Sequence, residues 1–129
     1  MENISISLQE DNNSENSEIR VDGVIDTMTA GKLEEVINSL LKRRRYKLII
    51  DLAGVDYISS AGWGIFISHI KDVRSNNGDI KLVNMIPNVY EIYELLEFDN
   101  VISAYVSINE ARSAFGQNEP FTEKKNLKN

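Results

Sequence analysis

Two adjacent serines, Ser59 and Ser60, precede Gly62 and Gly64 in the segment Asp51 to Gly64, Asp-Leu-Ala-Gly-Val-Asp-Tyr-Ile-Ser-Ser-Ala-Gly-Trp-Gly. A serine hydroxyl in such a setting can act as a nucleophile, line a phosphate cradle or cap a helix, and each role demands different neighbours. A nucleophile needs a base within hydrogen-bond reach. The only histidine, His69, lies further along the same expected helix, too far along its axis to reach Ser60. A nucleophile elbow also requires glycine where Ile58 stands. The run Gly62-Trp63-Gly64-Ile65-Phe66-Ile67 lacks the third glycine of a dinucleotide fingerprint and the lysine of a P-loop, and a bulky indole separates its first two glycines. Asp51 ends a strand-like run, where a phosphoacceptor carboxylate could sit. Its required companions, an acidic pair after the first strand and a lysine after the last, are not supplied by Leu8-Gln9-Glu10 or Ala104-Tyr105-Val106. Asp51 is therefore read as holding a turn or capping nearby backbone. One histidine and no cysteine leave only unclustered carboxylates for a metal, so no metal or cofactor is expected. Helix capping by Ser59 or Ser60 accounts for one serine. It leaves two helical glycines, each costing about 1 kcal/mol relative to alanine. Close approach of another backbone or of a partner would compensate.

The elements around this segment follow from periodicity. Ile4, Ile6 and Leu8 alternate with polar residues, as do Ile19 and Val21, and the polar run Asp11 to Ser17 separates them as a hairpin turn. Leu33, Val36, Ile37, Leu40 and Leu41 form one apolar helical stripe, with Thr29 as its expected N-cap and Lys42-Arg43-Arg44-Arg45 as a solvated C-terminal end. Lys47 to Leu52 reads as a central strand covered on both faces. Ala53 to Ser59 reads as a loop into a second helix carrying Phe66, Ile67, Ile70 and Val73, which ends at Asn76-Asn77-Gly78-Asp79. Ile80 to Val83 is a strand, and Pro87 opens a third helix with Val89, Ile92, Tyr93 and Leu96 inward. Val101 to Val106 is the last strand, and Ser107-Ile108-Asn109-Glu110 is a capping box opening a fourth helix through Phe115. The alternating order implies parallel strands joined by crossover helices, hence an α/β fold. From about Gly116 the chain turns polar and lysine-rich, so residues 117–129 are expected to be a disordered tail.

Bulk composition narrows the function classes. With 129 residues, 42% of them hydrophobic and 26% charged, the chain suits one domain with a real core. A formal net charge of −6 disfavours binding to nucleic-acid backbones. No apolar segment approaches bilayer-spanning length. The N-terminus has no basic stretch followed by an apolar run, so no signal peptide is expected and a cytoplasmic location is.

Three segments together resemble a known family. Asp51-Leu52 … Val55-Asp56-Tyr57-Ile58-Ser59-Ser60-Ala61-Gly62-Trp63-Gly64 is similar to the signature of STAS domains in anti-sigma-factor antagonists, Asp-Leu, a short loop, then Asp-Ser-Ser/Thr-Gly-Leu-Gly. Gly23-Val24-Ile25-Asp26-Thr27-Met28-Thr29-Ala30 is similar to the family's Gly-Glu-Ile/Leu-Asp followed by Thr/Ser-Ala. Gly78-Asp79-Ile80-Lys81-Leu82-Val83-Asn84 resembles its Gly-Gly-x-Leu-x-Leu strand. The resemblance runs from about residue 4 to 115. It implies the STAS fold over residues 1–116, a mixed, mostly parallel sheet of about five strands with four helices.

The resemblance also implies a non-enzymatic switch. The unmodified antagonist binds an anti-sigma factor that is an ATP-dependent serine kinase, freeing sigma factor for transcription. Phosphorylation of the antagonist's serine ends the interaction, and a serine phosphatase resets it. No nucleic acid, membrane or cofactor is implied, and a monomer or weak dimer is expected. Carried over by position, the phosphoacceptor is Ser60, with Ser59 as fallback. The partner-binding positions are Asp26, Thr27, Ser59, Ser60, Ala61, Gly62, Trp63 and Gly64. Ser59 replaces the family's acid and Ala61 its second hydroxyl. Loss of that hydroxyl leaves open a STAS scaffold or transporter-associated subunit without phosphorylation. Trp63 replaces the usual leucine, either enlarging an apolar contact surface or filling the core.

Overall fold

Alternation of apolar and polar residues builds two antiparallel strands, β1 (Ile4–Glu10) and β2 (Asn16–Ile25), with Ile6 opposite Val21 and Leu8 opposite Ile19. The computed structural model describes residues 4–10 and 13–116; part of the expected hairpin turn and the expected tail lie outside the described residues. After β2 come α1 (Ala30–Lys42), β3 (Lys47–Ile58), α2 (Ser60–Ser75), β4 (Asp79–Val83), α3 (Pro87–Leu95), β5 (Ser103–Tyr105) and α4 (Ile108–Gly116). The described residues form one sheet in the order β1-β2-β3-β4-β5, parallel from β2 onward.

Consecutive parallel neighbours with crossovers of one hand place their helices on the same side of the sheet. Leu48, Ile50 and Leu52 of β3 accordingly share a core with Leu33 and Ile37 of α1, Phe66 and Val73 of α2, and Val89 and Tyr93 of α3. Ile49, one residue out of step, faces the other way and packs with Val83 and Tyr105 under Ala111, Ala114 and Phe115 of α4. Burial of each such aliphatic side chain contributes about 1.5–3 kcal/mol, so the three-helix face carries most of the stability. The smaller face also encloses Lys81, only 2% exposed. Its ammonium lies 3.4 Å from an Asp79 carboxylate oxygen, 3.4 Å from the Tyr105 hydroxyl and 4.8 Å from the Phe115 ring centre. Those partners offset the cost of burying the charge.

Several expectations need correction. The segment 53–58 is strand rather than loop. Two register shifts in its pairing with β2, between Arg20 and Asp22 and between Gly23 and Val24, each give β3 an extra residue and mask its alternation. The last strand is confined to Ser103–Tyr105, because a 3-10 turn at Phe98–Asn100 takes up the approach to it. Thr29 occupies the N-cap position of α1 without capping it. Its hydroxyl instead donates to the Val24 carbonyl at 2.7 Å and accepts from the Asp26 N–H at 2.9 Å. The basic run is solvated at Lys42, Arg43 and Arg44, as expected of a helix end, but not at Arg45. α1 stops at Lys42, and Arg45 donates to the Ser14 and Asn16 carbonyls at 3.1 and 2.8 Å and to the Ser17 hydroxyl at 3.0 Å, tying the start of β2 to the end of α1.

The phenols of α3 make stability sensitive to alkali. Burial, followed by a hydrogen bond to Glu94, pushes Tyr90 up to about 12, and burial pushes the Tyr93 phenol upward as well. A group whose folded-state value is raised stabilises fully below its unfolded value, near 10 for tyrosine, and loses that contribution as pH rises towards the folded value. Urea unfolding at several pH values is expected to show stability falling above pH 10. Tyr93→Phe should flatten that fall. It should also cost about 1–3 kcal/mol at neutral pH, because the Tyr93 hydroxyl donates to the buried Ile102 carbonyl.

Candidate functional site

β2 and β3 run parallel and end together, with Ile25 paired to Ile58. The segments that follow them, Asp26–Thr29 and Ser59–Ala61, therefore emerge side by side at the carboxyl edge of the sheet, where α/β folds place their sites. The first shift of register is spanned by Asp51. Its carboxylate accepts from the Ala53 N–H at 3.0 Å and the Asn84 side-chain amide at 3.2 Å, and it lies 3.7 Å from the Arg20 guanidinium. Asp51 is thus occupied in holding the bend of β3.

α2 begins where β3 stops, and the Ser59 N–H donates to the Ile25 carbonyl at 2.8 Å. Ser59 has extended backbone angles and its hydroxyl accepts from the Gly62 N–H at 3.3 Å, so it is the N-cap. Ser60, the first helical residue, is exposed, and its hydroxyl has no hydrogen-bond partner among the described residues. The two serines do different work. One is half-buried and engaged by the fold, and the other faces solvent at the positive end of a helix dipole.

The two glycines also differ. A Cβ on Gly62 would sit 2.7 Å from Ile25 Cγ2 and 2.8 Å from Ile58 Cγ2, so glycine is what lets the first turn of α2 close against the strand ends. A Cβ on Gly64 would meet nothing within 4 Å. Gly64 is exposed, and no packing within the described chain explains it.

Gly62 and Trp63, both among the expected contact positions, are largely buried within the chain itself. Trp63 is 2% exposed and stacks on Phe98 at 5.0 Å between ring centres, with Phe66 and Tyr93 near 6 Å. Its position three residues before Phe66, on the stripe that continues through Ile70 and Val73, is the sequence signal for that burial.

Opposite the serines, the Asp26 carboxylate accepts from the Met28 N–H at 2.9 Å and the Thr29 N–H at 3.1 Å. Asp26 thereby closes the turn that leads into α1, and no side chain caps the helix itself among the described residues. This leaves Thr27 and Met28 exposed, Met28 by 68%. Tyr57 on the other side of Ser60 is 56% exposed. Met28 and Tyr57 escape sequence reasoning, because exposure of single apolar residues at strand ends leaves no periodic trace. His69 is held by α1, its Nε2 3.1 Å from a Glu34 carboxylate oxygen, and so is committed to a helix contact. Among the described residues no helix is long and apolar enough to cross a membrane, and no three His, Asp or Glu side chains are grouped to hold a metal ion.

The STAS domain family model matches residues 6–111, which include both loops and all the helices up to the first turn of α4. The chain belongs to the STAS family. An anti-sigma-B factor antagonist from Listeria monocytogenes is 29% identical over 100 residues, covering 78% of this chain and 87% of the relative. One from Staphylococcus aureus is 24% identical over 78 residues, covering 60% and 72%. The fold is shared with solved structures. An anti-sigma factor antagonist from Mycobacterium paratuberculosis superposes with a TM-score of 0.77 at 24% identity, over 87% of this chain and 93% of that one. SpoIIAA in its unphosphorylated form superposes at 0.66 with 14% identity, over 91% and 100%, and Bacillus SpoIIAA in its phosphorylated form at 0.65 with 16% identity, over 86% and 99%.

Within this STAS chain, alanine at the two glycines should have opposite effects on stability. Gly62→Ala should destabilise, because forcing a methyl against Ile25 and Ile58 costs about 1–3 kcal/mol and outweighs the gain in helix propensity. Gly64→Ala should stabilise by about 1 kcal/mol, its methyl projecting into open space. Chemical denaturation of the two variants beside the parent checks both signs.

Proposed function

We propose that this STAS protein is an anti-sigma-factor antagonist whose docking to an anti-sigma serine kinase is controlled by phosphorylation of Ser60. The observation that carries the reading is the exposed, unengaged Ser60 hydroxyl on the first turn of α2, beside a neighbour that already supplies the cap. The names of the Listeria and Staphylococcus relatives support it. In the proposed cycle the unmodified chain binds the kinase and frees sigma factor, favouring sigma-dependent transcription. The kinase then transfers the γ-phosphoryl group of its bound ATP to Ser60 Oγ, leaving ADP and a proton, and the complex separates. A serine phosphatase restores the hydroxyl by hydrolysis. The protein itself binds no ATP and catalyses no step, and the cycle runs in the cytoplasm.

The physics of the site fits such a switch. A phosphate at Ser60 adds about −1.5 to −2 charges at pH 7. The free amides and dipole of α2 accept an anion there without disturbing the helix. A partner packed over the same spot would instead have to bury unpaired charge. Ser59 is the poorer acceptor, because modification there removes the N-cap. Thr27 and Ala61 flank the hydroxyl and would share its contact surface. The exposed Gly64 is explained if a partner's backbone passes close to the outer face of α2. A second reading rests on Ala61, which removes the other hydroxyl of the motif. In it the chain is a STAS scaffold or transporter-associated subunit that is never phosphorylated.

Incubation with an anti-sigma serine kinase from the same cells and ATP, followed by mass-spectrometric mapping, is expected to place one phosphate on Ser60 and none on Ser60→Ala. Ser60→Asp should weaken the complex by about 2–5 kcal/mol in calorimetric titration. Gly64→Ala should weaken it as well, despite a more stable fold. A stable assembly indifferent to Ser60→Asp would favour the scaffold reading.

A further inference from the structure

A groove of about 340 Å³ opens between the end of β3 and α3, and its lining residues Ile58 and Trp63 bracket Ser60 in sequence. Tyr57, Trp63, Val89 and Ile92 supply its apolar lining, and the exposed carboxylates of Asp56 and Glu91 stand on either side. Ile92 is 39% exposed, and the apolar strip continues along α3 through Leu95 and Leu96, which are 73% and 52% exposed. Residues 92, 95 and 96 are one turn apart and share a helix face. Three large apolar side chains are therefore left to solvent on one short helix. Carboxylates interleave with this strip at Glu91, Glu94 and Glu97. A surface that is apolar at its centre and anionic along its margin is complementary to an apolar side chain flanked by cations.

We infer that this groove and the outer face of α3 form a second part of the docking surface, taking an aliphatic or aromatic side chain flanked by Lys or Arg from the same partner that covers Ser60. The inference rests on the proposed function for the partner's identity. Tyr57 and Trp63 lie on either side of Ser60 in sequence, on the strand and helix that meet there, so a partner covering Ser60 borders the groove. Division of labour follows. The Ser60 edge carries the switch, while the α3 groove discriminates among anti-sigma factors by the charge around their anchor residue. Trp63, the only tryptophan, floors the groove and reports its occupation by fluorescence.

The test uses the full chain and the kinase that phosphorylates it or, where no phosphate is transferred, the anti-sigma factor that co-purifies with it. Dissociation constants are measured for the parent, Glu91→Lys, Ile92→Ser, Ser60→Asp and a control charge reversal on α1, Glu35→Lys. Each groove variant is expected to weaken binding about ten-fold, the scale of a contact at an interface centre. The loss for Glu91→Lys should shrink as salt is raised, since the charge component is screened. Glu35→Lys should bind as the parent does, and Trp63 emission should shift on binding of the parent. Loss with the groove variants while Ser60→Asp binds normally would keep the groove and remove the switch. Loss with Ser60→Asp while both groove variants bind as the parent, with unchanged Trp63 emission, would overturn the groove and leave the proposed function standing. Equal losses for Glu35→Lys and Glu91→Lys would overturn it too, by showing a diffuse charge effect. Failure of the parent to bind any anti-sigma factor would overturn both.

Discussion

The contact on which the rest of the site depends is the one between the first turn of α2 and the end of β2. The Ser59 N–H donates to the Ile25 carbonyl at 2.8 Å, and Gly62 admits the Ile25 and Ile58 side chains within a distance that no Cβ tolerates. Together they seat the helix directly on the ends of two parallel strands, with no intervening loop to flex. Everything exposed at that edge, from Met28 through Ser60 to Tyr57, takes its position from this seat. Asp51 contributes from one layer below. By satisfying the Ala53 N–H and Asn84 while lying close to Arg20, it fixes the first bend of β3 and so the direction in which Ser59 and Ser60 arrive. The bulge re-aims the strand end, a common use of such irregularities beside functional sites.

The division between the two serines is a consequence of that geometry. A helix has four N-terminal amides to satisfy, and Ser59 satisfies one of them. Having done so, it relieves Ser60 of any structural duty. A hydroxyl with no intramolecular partner can be altered at little stability cost to the fold. The same reasoning distinguishes the glycines. Gly62 is required by what lies inside the molecule, whereas nothing inside it requires Gly64.

Much of this was legible in the sequence, and the failures have definite causes. The apolar stripes of α1 and α2 identified the helices because each buries one side against a sheet, and the uninterrupted run Leu48-Ile49-Ile50 identified a strand covered on both sides. In α3 only Val89 and Tyr93 turn inward; Ile92 and Leu96, expected to join them, are exposed, because a short helix at the sheet's margin has sheet on one narrow side alone. Pro87 marked the start of α3 as expected. The motif segments fall side by side because parallel strands bring their carboxyl ends to one edge. Residues 53–58 were misread because two added residues break the period of two that identifies a strand. Thr29 was misread because a capping position does not dictate where its hydroxyl bonds, and here the Val24 carbonyl and the Asp26 N–H engage it instead. Arg45 was misread because a basic side chain at a helix end looks the same in sequence whether water or the carbonyls of a distant turn receive it.

Trp63 shows how the two scales meet. Its place on the α2 stripe assigns it to the core, and its contacts with Phe98 and Tyr93 make it the bridge from the Ser60 turn to α3. A leucine there would leave that bridge thinner. The indole carries the first turn of α2 across to the helix whose outer face stays apolar, so Ser60 and the exposed strip of α3 are joined through one ring. Displacement of α3 would have to move Trp63, and Trp63 is anchored one residue beyond Gly62, at the point where the helix is held most tightly. On the proposed function, charge added at Ser60 therefore meets a helix start held in place by its seat on the strand ends. It is felt at the surface, by whatever is packed there.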